Sequence, residues 1–200
     1  MRLHRAAFFA AVTLLIGSHA GAASVAVTVA DATGKPLADA VVYATPLSGK
    51  APPRPSTALI DQIGREFVPL VSVMQTGALV SFPNKDNIRH QVYSFSPAKT
   101  FELRLYSGTP ASPILFDKPG LVTLGCNIHD IMIAYALVVD SPWFAKTDSA
   151  GKAVVDGFPP GGLRHPCVAL PPDGQRGAVA AAERKKHGQR YGDPDRRQAG

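Results

Sequence analysis

The chain has 200 residues, 46% of them hydrophobic, only two cysteines and a formal net charge of +6. The charge sits at the ends: Arg2 and Arg5 near the start, and seven Lys/Arg against three Asp/Glu in residues 175–200, leave residues 6–174 with twelve charges of each sign. A neutral body argues against a nucleic-acid face or an acidic polymer as partner, and no stretch after the N-terminus has the ~20 apolar residues of a membrane span.

Residues 1–22 read as a signal peptide. Arg2 and Arg5 form a charged region, residues 6–17 an apolar one, and Ala20-Gly21-Ala22 a small-residue cleavage site. Export to the periplasm is expected, with the mature chain starting near Ala23. An uncleaved anchor is the other reading, and the small-residue site favours cleavage.

Beyond the leader the pattern is all-β. Residues 24–30 alternate with period two, as a half-buried strand does. Gly34-Lys35-Pro36 turns the chain and residues 40–44 read as the next strand. Residues 48–56 are Pro-rich, a loop or linker. Strand-like runs follow at 67–74, 78–82, 91–95, 101–106, 121–126 and 132–139, punctuated by Gly, Pro, Asn and Asp. Residues 23–160 show no sustained 3.6-residue period, so a sandwich or barrel is expected.

Between the last two runs lies Cys126-Asn127-Ile128-His129-Asp130-Ile131-Met132. A thiolate, an imidazole and a thioether stand three residues apart on one loop held by strands. His90, after the tight segment Asn84-Lys85-Asp86-Asn87, opens another strand and can deliver a second imidazole to the same end of a sandwich. Two imidazoles and a thiolate can hold Zn(II), but zinc gains little from a thioether. A Cys-His-His plane with a weak axial Met suits copper in both oxidation states. Each residue alone has a simpler reading: Cys126 pairs with Cys167 in a disulfide, His90 is surface or capped, His129 is solvated, and Met132 fills core. The joint occurrence points to one metal ion bound by His90, Cys126, His129 and Met132.

Residues 58–140 resemble a cupredoxin, a Greek-key β-sandwich. The resemblance is carried by Val80-Ser81-Phe82-Pro83-Asn84-Lys85-Asp86, His90-Gln91-Val92-Tyr93-Ser94-Phe95-Ser96, Phe101-Glu102-Leu103, Gly125-Cys126-Asn127-Ile128-His129-Asp130 and Ser141-Pro142-Trp143-Phe144. The Cys-x2-His-x2-Met spacing is similar to that of the amicyanins. The longer stretch is similar to exported cupredoxin-domain proteins labelled methylamine utilization proteins, a label that does not establish a role in methylamine oxidation. The resemblance implies one type 1 (blue) copper ion on His90, Cys126, His129 and Met132. It also implies electron transfer to a redox partner docking near His129, where Pro83, Ile128 and Ile131 would form an apolar patch.

The flanks suggest a second module. Residues 31–40 and 147–161 resemble two halves of a small carboxypeptidase-regulatory-like β-sandwich into which the cupredoxin is inserted; alternatively the first strands pair with the cupredoxin sheets. The expected organisation is a signal peptide (1–22), a first half-module with linker (23–57), a cupredoxin domain (58–140), a second half-module (141–170) and a disordered tail (171–200). After Pro159-Pro160-Gly161 the resemblance implies an aromatic, alternating closing strand; the chain instead reads through 162–172 without one and then turns basic with no strand pattern, and a single inserted base near the codon for Gly162 would explain the break. If so, Cys167 is an accident of the frame; otherwise it is an exported thiol. A closed four-ligand site leaves no open position for a substrate, so an enzyme is not expected. The readings left open are an electron carrier and a copper-handling or structural β-sandwich binding module.

Overall fold

A computed structural model describes residues 23–31, 33–46, 49–158 and 167–169, the last three as backbone. The expected signal peptide, the frame break near Gly162, the Cys167 side chain and the tail from 171 lie outside the described residues. Among those described there are fifteen strands and no helix. In chain order these are β1 (Ala23–Thr28), β2 (Val41–Tyr43), β3 (Thr57–Leu59), β4 (Asp61–Ile63), β5 (Glu66–Val68), β6 (Val71–Gln75), β7 (Ala78–Ser81) and β8 (His90–Ser96). Then follow β9 (Lys99–Tyr106), β10 (Ile114–Phe116), β11 (Gly120–Gly125), β12 (Ile133–Val139), β13 (Phe144–Lys146), β14 (Lys152–Phe158) and β15 (Cys167–Ala169).

The larger body is a two-sheet sandwich. One sheet has the order β6-β12-β11-β8-β9 and the other β10-β7-β3. Alternation assigns the faces, since side chains two apart share one face of a strand. Val122 and Leu124 of β11, Val92 of β8, and Ala134, Ala136 and Val138 of β12 point inward, against Ala78 and Val80 of β7 and Phe116 of β10. Phe82 stacks in this core against Phe101, with ring centroids 5.5 Å apart.

Strands from the two ends of the chain pair with each other. β1 pairs antiparallel with β14, and β13-β2-β15 form a three-stranded sheet. Val27, Val29, Leu37, Val42, Trp143, Val155 and Phe158 make their own core, in which Trp143 Nε1 donates to Gly157 O (2.8 Å). Two turns of like sequence close this unit. Asp31 Oδ1 accepts from the amides of Thr33 and Lys35, and Asp148 Oδ1 from those of Ala150 and Lys152. Gly151 has φ +70° and a Cβ there would stand 2.3 Å from Val29 O, so the second turn requires glycine.

The two units share a seam. Val41 of β2, Val71 of β6 and Tyr135 of β12 form a third cluster, with Tyr43, Val73 and Leu137 against it. Lys146 of β13 donates to Val71 O (2.9 Å) and pairs with Asp39 (2.7 Å). This seam explains the continuous apolar run of β12. Its even-numbered residues face the sandwich core and Tyr135 and Leu137 face the second unit, so both faces are covered.

Two details differ from the sequence reading. The run expected at 67–74 is two strands, β5 pairing with β4 and β6 with β12. Pro69 lies between them and has no N–H to give a ladder. A short strand outside the runs expected from the sequence, Cys167–Ala169, pairs antiparallel with β2.

Candidate metal centre

The site follows from continuing three rows of alternating side chains past the ends of their strands. On β8, Ser94, Val92 and His90 are all fully buried. On β11 the inward row Val122, Leu124 runs on to Cys126, and on β12 the row Val138, Ala136, Ala134 runs back to Met132. β11 and β12 end their pairing at Gly125↔Ile133, and Gly125 also pairs with Tyr93 of β8. Cys126 and Met132 are therefore the first inward positions beyond one paired rung, at the end of the sandwich where β8 begins with His90. The turn between them is closed by Met132 N donating to His129 O (2.9 Å), which brings His129 back over Cys126.

The donor atoms of His90, Cys126 and His129 lie within 4.8 Å of one another. Cys126 Sγ is 3.9 Å from His129 Nδ1, and the two imidazoles meet edge to face with centroids 4.9 Å apart. Cys126 is a free thiol, 2% exposed, so it is not the disulfide cysteine of the alternative reading. Met132 is buried in the same core cluster. His129 is partly exposed, between Ile128 (47% exposed) and Ile131 (82%).

His90 is held by a loop built for it. Asn84 is buried and donates to Ile88 O (2.8 Å) and Tyr106 O (2.9 Å), while its Oδ1 accepts from Asp86 N (3.0 Å). This places Asp86 Oδ2 2.7 Å from His90 Nε2. The Asp86 carboxylate is itself fixed by the amides of Arg65 (2.9 Å) and Gly64 (2.6 Å) on the β4–β5 turn. These donors, Arg65 first, with His90 adding to them, hold its carboxyl below the usual range against the opposing effect of burial. His90 Nδ1 is buried with no hydrogen-bond partner. Across the sheet from His90, Tyr106 donates to Phe82 O (2.6 Å) and accepts from Gln62 Nε2. Burial, with a smaller contribution from the nearby Cys126 and against the hydrogen bond from Gln62, pushes its phenol up to about 12.

The residues present fit a single metal ion. An orphaned imidazole nitrogen inside a protein is costly to leave unpaired. Here the ring that carries it lies beside a free thiol and a second imidazole, and an ion with ~2.0–2.3 Å bonds would draw the three donors to within about 4 Å of one another. One sulfur and two imidazole nitrogens, with a buried thioether close by, is the donor set of a type 1 copper site. Sequence reasoning found His90, Cys126 and His129 and the structure brings them together; it missed Asp86, whose signal was a carboxylate four residues before His90 in the same loop. A cavity of about 350 Å³ flanks the site, lined by Tyr93, Phe95, Thr123, Cys126, Asp130 and Met132 among others.

No family model and no curated protein matches the chain. Among solved structures it is similar to a purple cupredoxin from Nitrosopumilus maritimus, at 18% identity over 41% of this chain and 99% of that one, with TM-score 0.37. It is also similar to a copper-containing nitrite reductase from Thermus scotoductus SA-01, at 25% identity over 48% of this chain but only 25% of the enzyme, with TM-score 0.38. Amicyanin from Paracoccus versutus aligns at 13% identity over 42% of this chain and 81% of its own, with TM-score 0.35.

Proposed function

We propose that the protein is an exported mononuclear copper protein that carries single electrons. The observation that carries this reading is the convergence of a buried free thiol and two imidazoles, one with an unpartnered nitrogen, at one end of a rigid sandwich. Bound copper supplies a one-electron couple. The chain's own residues do the rest. β8, β11 and β12 fix the donors before any ion arrives, so a change of oxidation state demands little rearrangement. Asp86 orients His90, and the core around Cys126 excludes water. Met132, the next inward position beside Cys126, would supply a fourth, weaker ligand through its thioether.

His129 supplies the route to a partner. It is partly exposed, and Ile128 and Ile131 beside it in the loop are both exposed. These two isoleucines make an exposed apolar patch of the kind a transient redox partner covers. Export rests on the N-terminal leader pattern; among the described residues no helix is long and apolar enough to cross a membrane. The pairing of β1 with β14 and of β2 with β13 and β15 supports a cupredoxin body inserted in a smaller module.

The alternative is a copper-handling or structural binding module without redox turnover. Voltammetry of the copper-loaded protein, followed by challenge with a Cu(I) chelator, separates them. A carrier gives a reversible one-electron wave and retains its copper. A copper-handling protein yields the ion to the chelator, and that result would displace the carrier reading.

A further inference from the structure

We propose that Asp86 is the positioning residue of the metal centre, setting which nitrogen of His90 faces the ion and biasing the site toward the oxidised metal. The proposal rests on the copper reading above.

A carboxylate whose Oδ2 sits 2.7 Å from His90 Nε2 is acceptor-only, so Nε2 must carry the proton. A neutral imidazole has one N–H, so Nδ1 is left as the lone pair. That atom is the buried one with no partner, and its ring meets His129 edge to face. Ring orientation and tautomer are thus both decided by Asp86 before an ion binds.

Asp86 is not free to follow the metal. Its oxygens are held by the Gly64 and Arg65 amides and its own amide by Asn84 Oδ1, so loop 84–87 and the β4–β5 turn lock it in place. A fixed negative charge one imidazole away from the ion makes His90 a stronger donor and favours the more highly charged metal state. A purely structural role, stapling the loop to the turn, would use the same amide bonds but would not need the bond to His90.

The test uses Asp86→Asn and Asp86→Ala in the full chain. In metal-free protein, the ring nitrogen shifts of His90 are read by NMR. Wild type should show the proton on Nε2, and Asp86→Ala should lose that preference. In copper-loaded protein, Asp86→Asn keeps an acceptor but removes the charge, and the preference for reduced over oxidised copper should rise about tenfold. That is an increase in reduction potential of about 59 mV for one electron. Asp86→Ala should also weaken metal binding roughly 10- to 100-fold. If both variants only lower the melting temperature, with wild-type tautomer and potential, Asp86 is a staple and the proposal is overturned. A wild-type protein that forms no copper–thiolate band defeats the metal reading itself, a failure recognised without any Asp86 variant.

Discussion

Gly125 is the last paired residue before Cys126, and a single methyl group there should be felt through Tyr93. A Cβ on Gly125 would stand 2.8 Å from Tyr93 Cζ and 2.9 Å from its Oη, where carbon contacts are comfortable at about 3.5–4.0 Å. The ring must therefore move by more than half an ångström. Its backbone partner cannot yield, because Gly125 and Tyr93 are paired across β11 and β8. Tyr93 is partly exposed, so it can swing outward, at the expense of its stacking on Phe95, with centroids 5.2 Å apart. A lost aromatic pair costs ~0.5–1.5 kcal/mol and residual overpacking adds to it. Gly125→Ala should destabilise by about 1–2 kcal/mol, roughly 2–8 °C in melting temperature for a chain of this size. The sign should reverse once the ring is gone. Gly125 does not have a left-handed φ, so alanine fits its backbone and stiffens the unfolded chain, a gain of ~0.4–1 kcal/mol. Thermal melts of Gly125→Ala, Tyr93→Ala and the double variant measure the coupling, expected to exceed about 1 kcal/mol. Equal destabilisation by Gly125→Ala with and without the Tyr93 ring would refute the reasoning.

Three further outcomes are expected. Cys126→Ser should abolish the copper–thiolate charge-transfer band, and an unchanged spectrum would remove the thiolate from the site. Met132→Leu conserves volume and should cost less than ~1.5 kcal/mol in stability while shifting the reduction potential; an unmoved potential would leave Met132 as core filler only. Tyr106, pushed by burial to about 12 from its ordinary 10.0, stays neutral in the fold while the unfolded chain ionises. Its contribution is therefore full below pH 10 and is lost as pH rises toward 12. Melting temperatures measured across that range should fall more steeply for wild type than for Tyr106→Phe, and parallel slopes would contradict this.

Much of the sandwich was legible because period-two alternation is strong where one face is buried, as in β8, β9 and β11. Alternation also explains why Cys126 and His90 come together at one end of the sandwich: each extends an inward row. The segment 57–63 defeated the same rule. Leu59 and Ile63 point to solvent while Gln62 is fully buried, so hydrophobicity assigns the faces backwards and β3 and β4 do not stand out. Gln62 tolerates the core because Tyr106 and Phe82 O accept from it. The pairing of β1 with β14 joins residues more than 120 apart and leaves no local trace in either strand. Asp86 was hidden for a related reason: its role depends on the β4–β5 turn, whose amides reach it from about twenty residues away.

Cys126, His90 and His129 are proposed to hold one copper ion. A visible absorption spectrum of the purified protein, titrated with Cu(II) and then reduced, tests this most directly. An intense thiolate-to-copper band that saturates at one copper per chain and bleaches on reduction is the expected result. Absence of the band while Cys126 remains a free thiol would contradict the account and leave the protein a β-sandwich binding module.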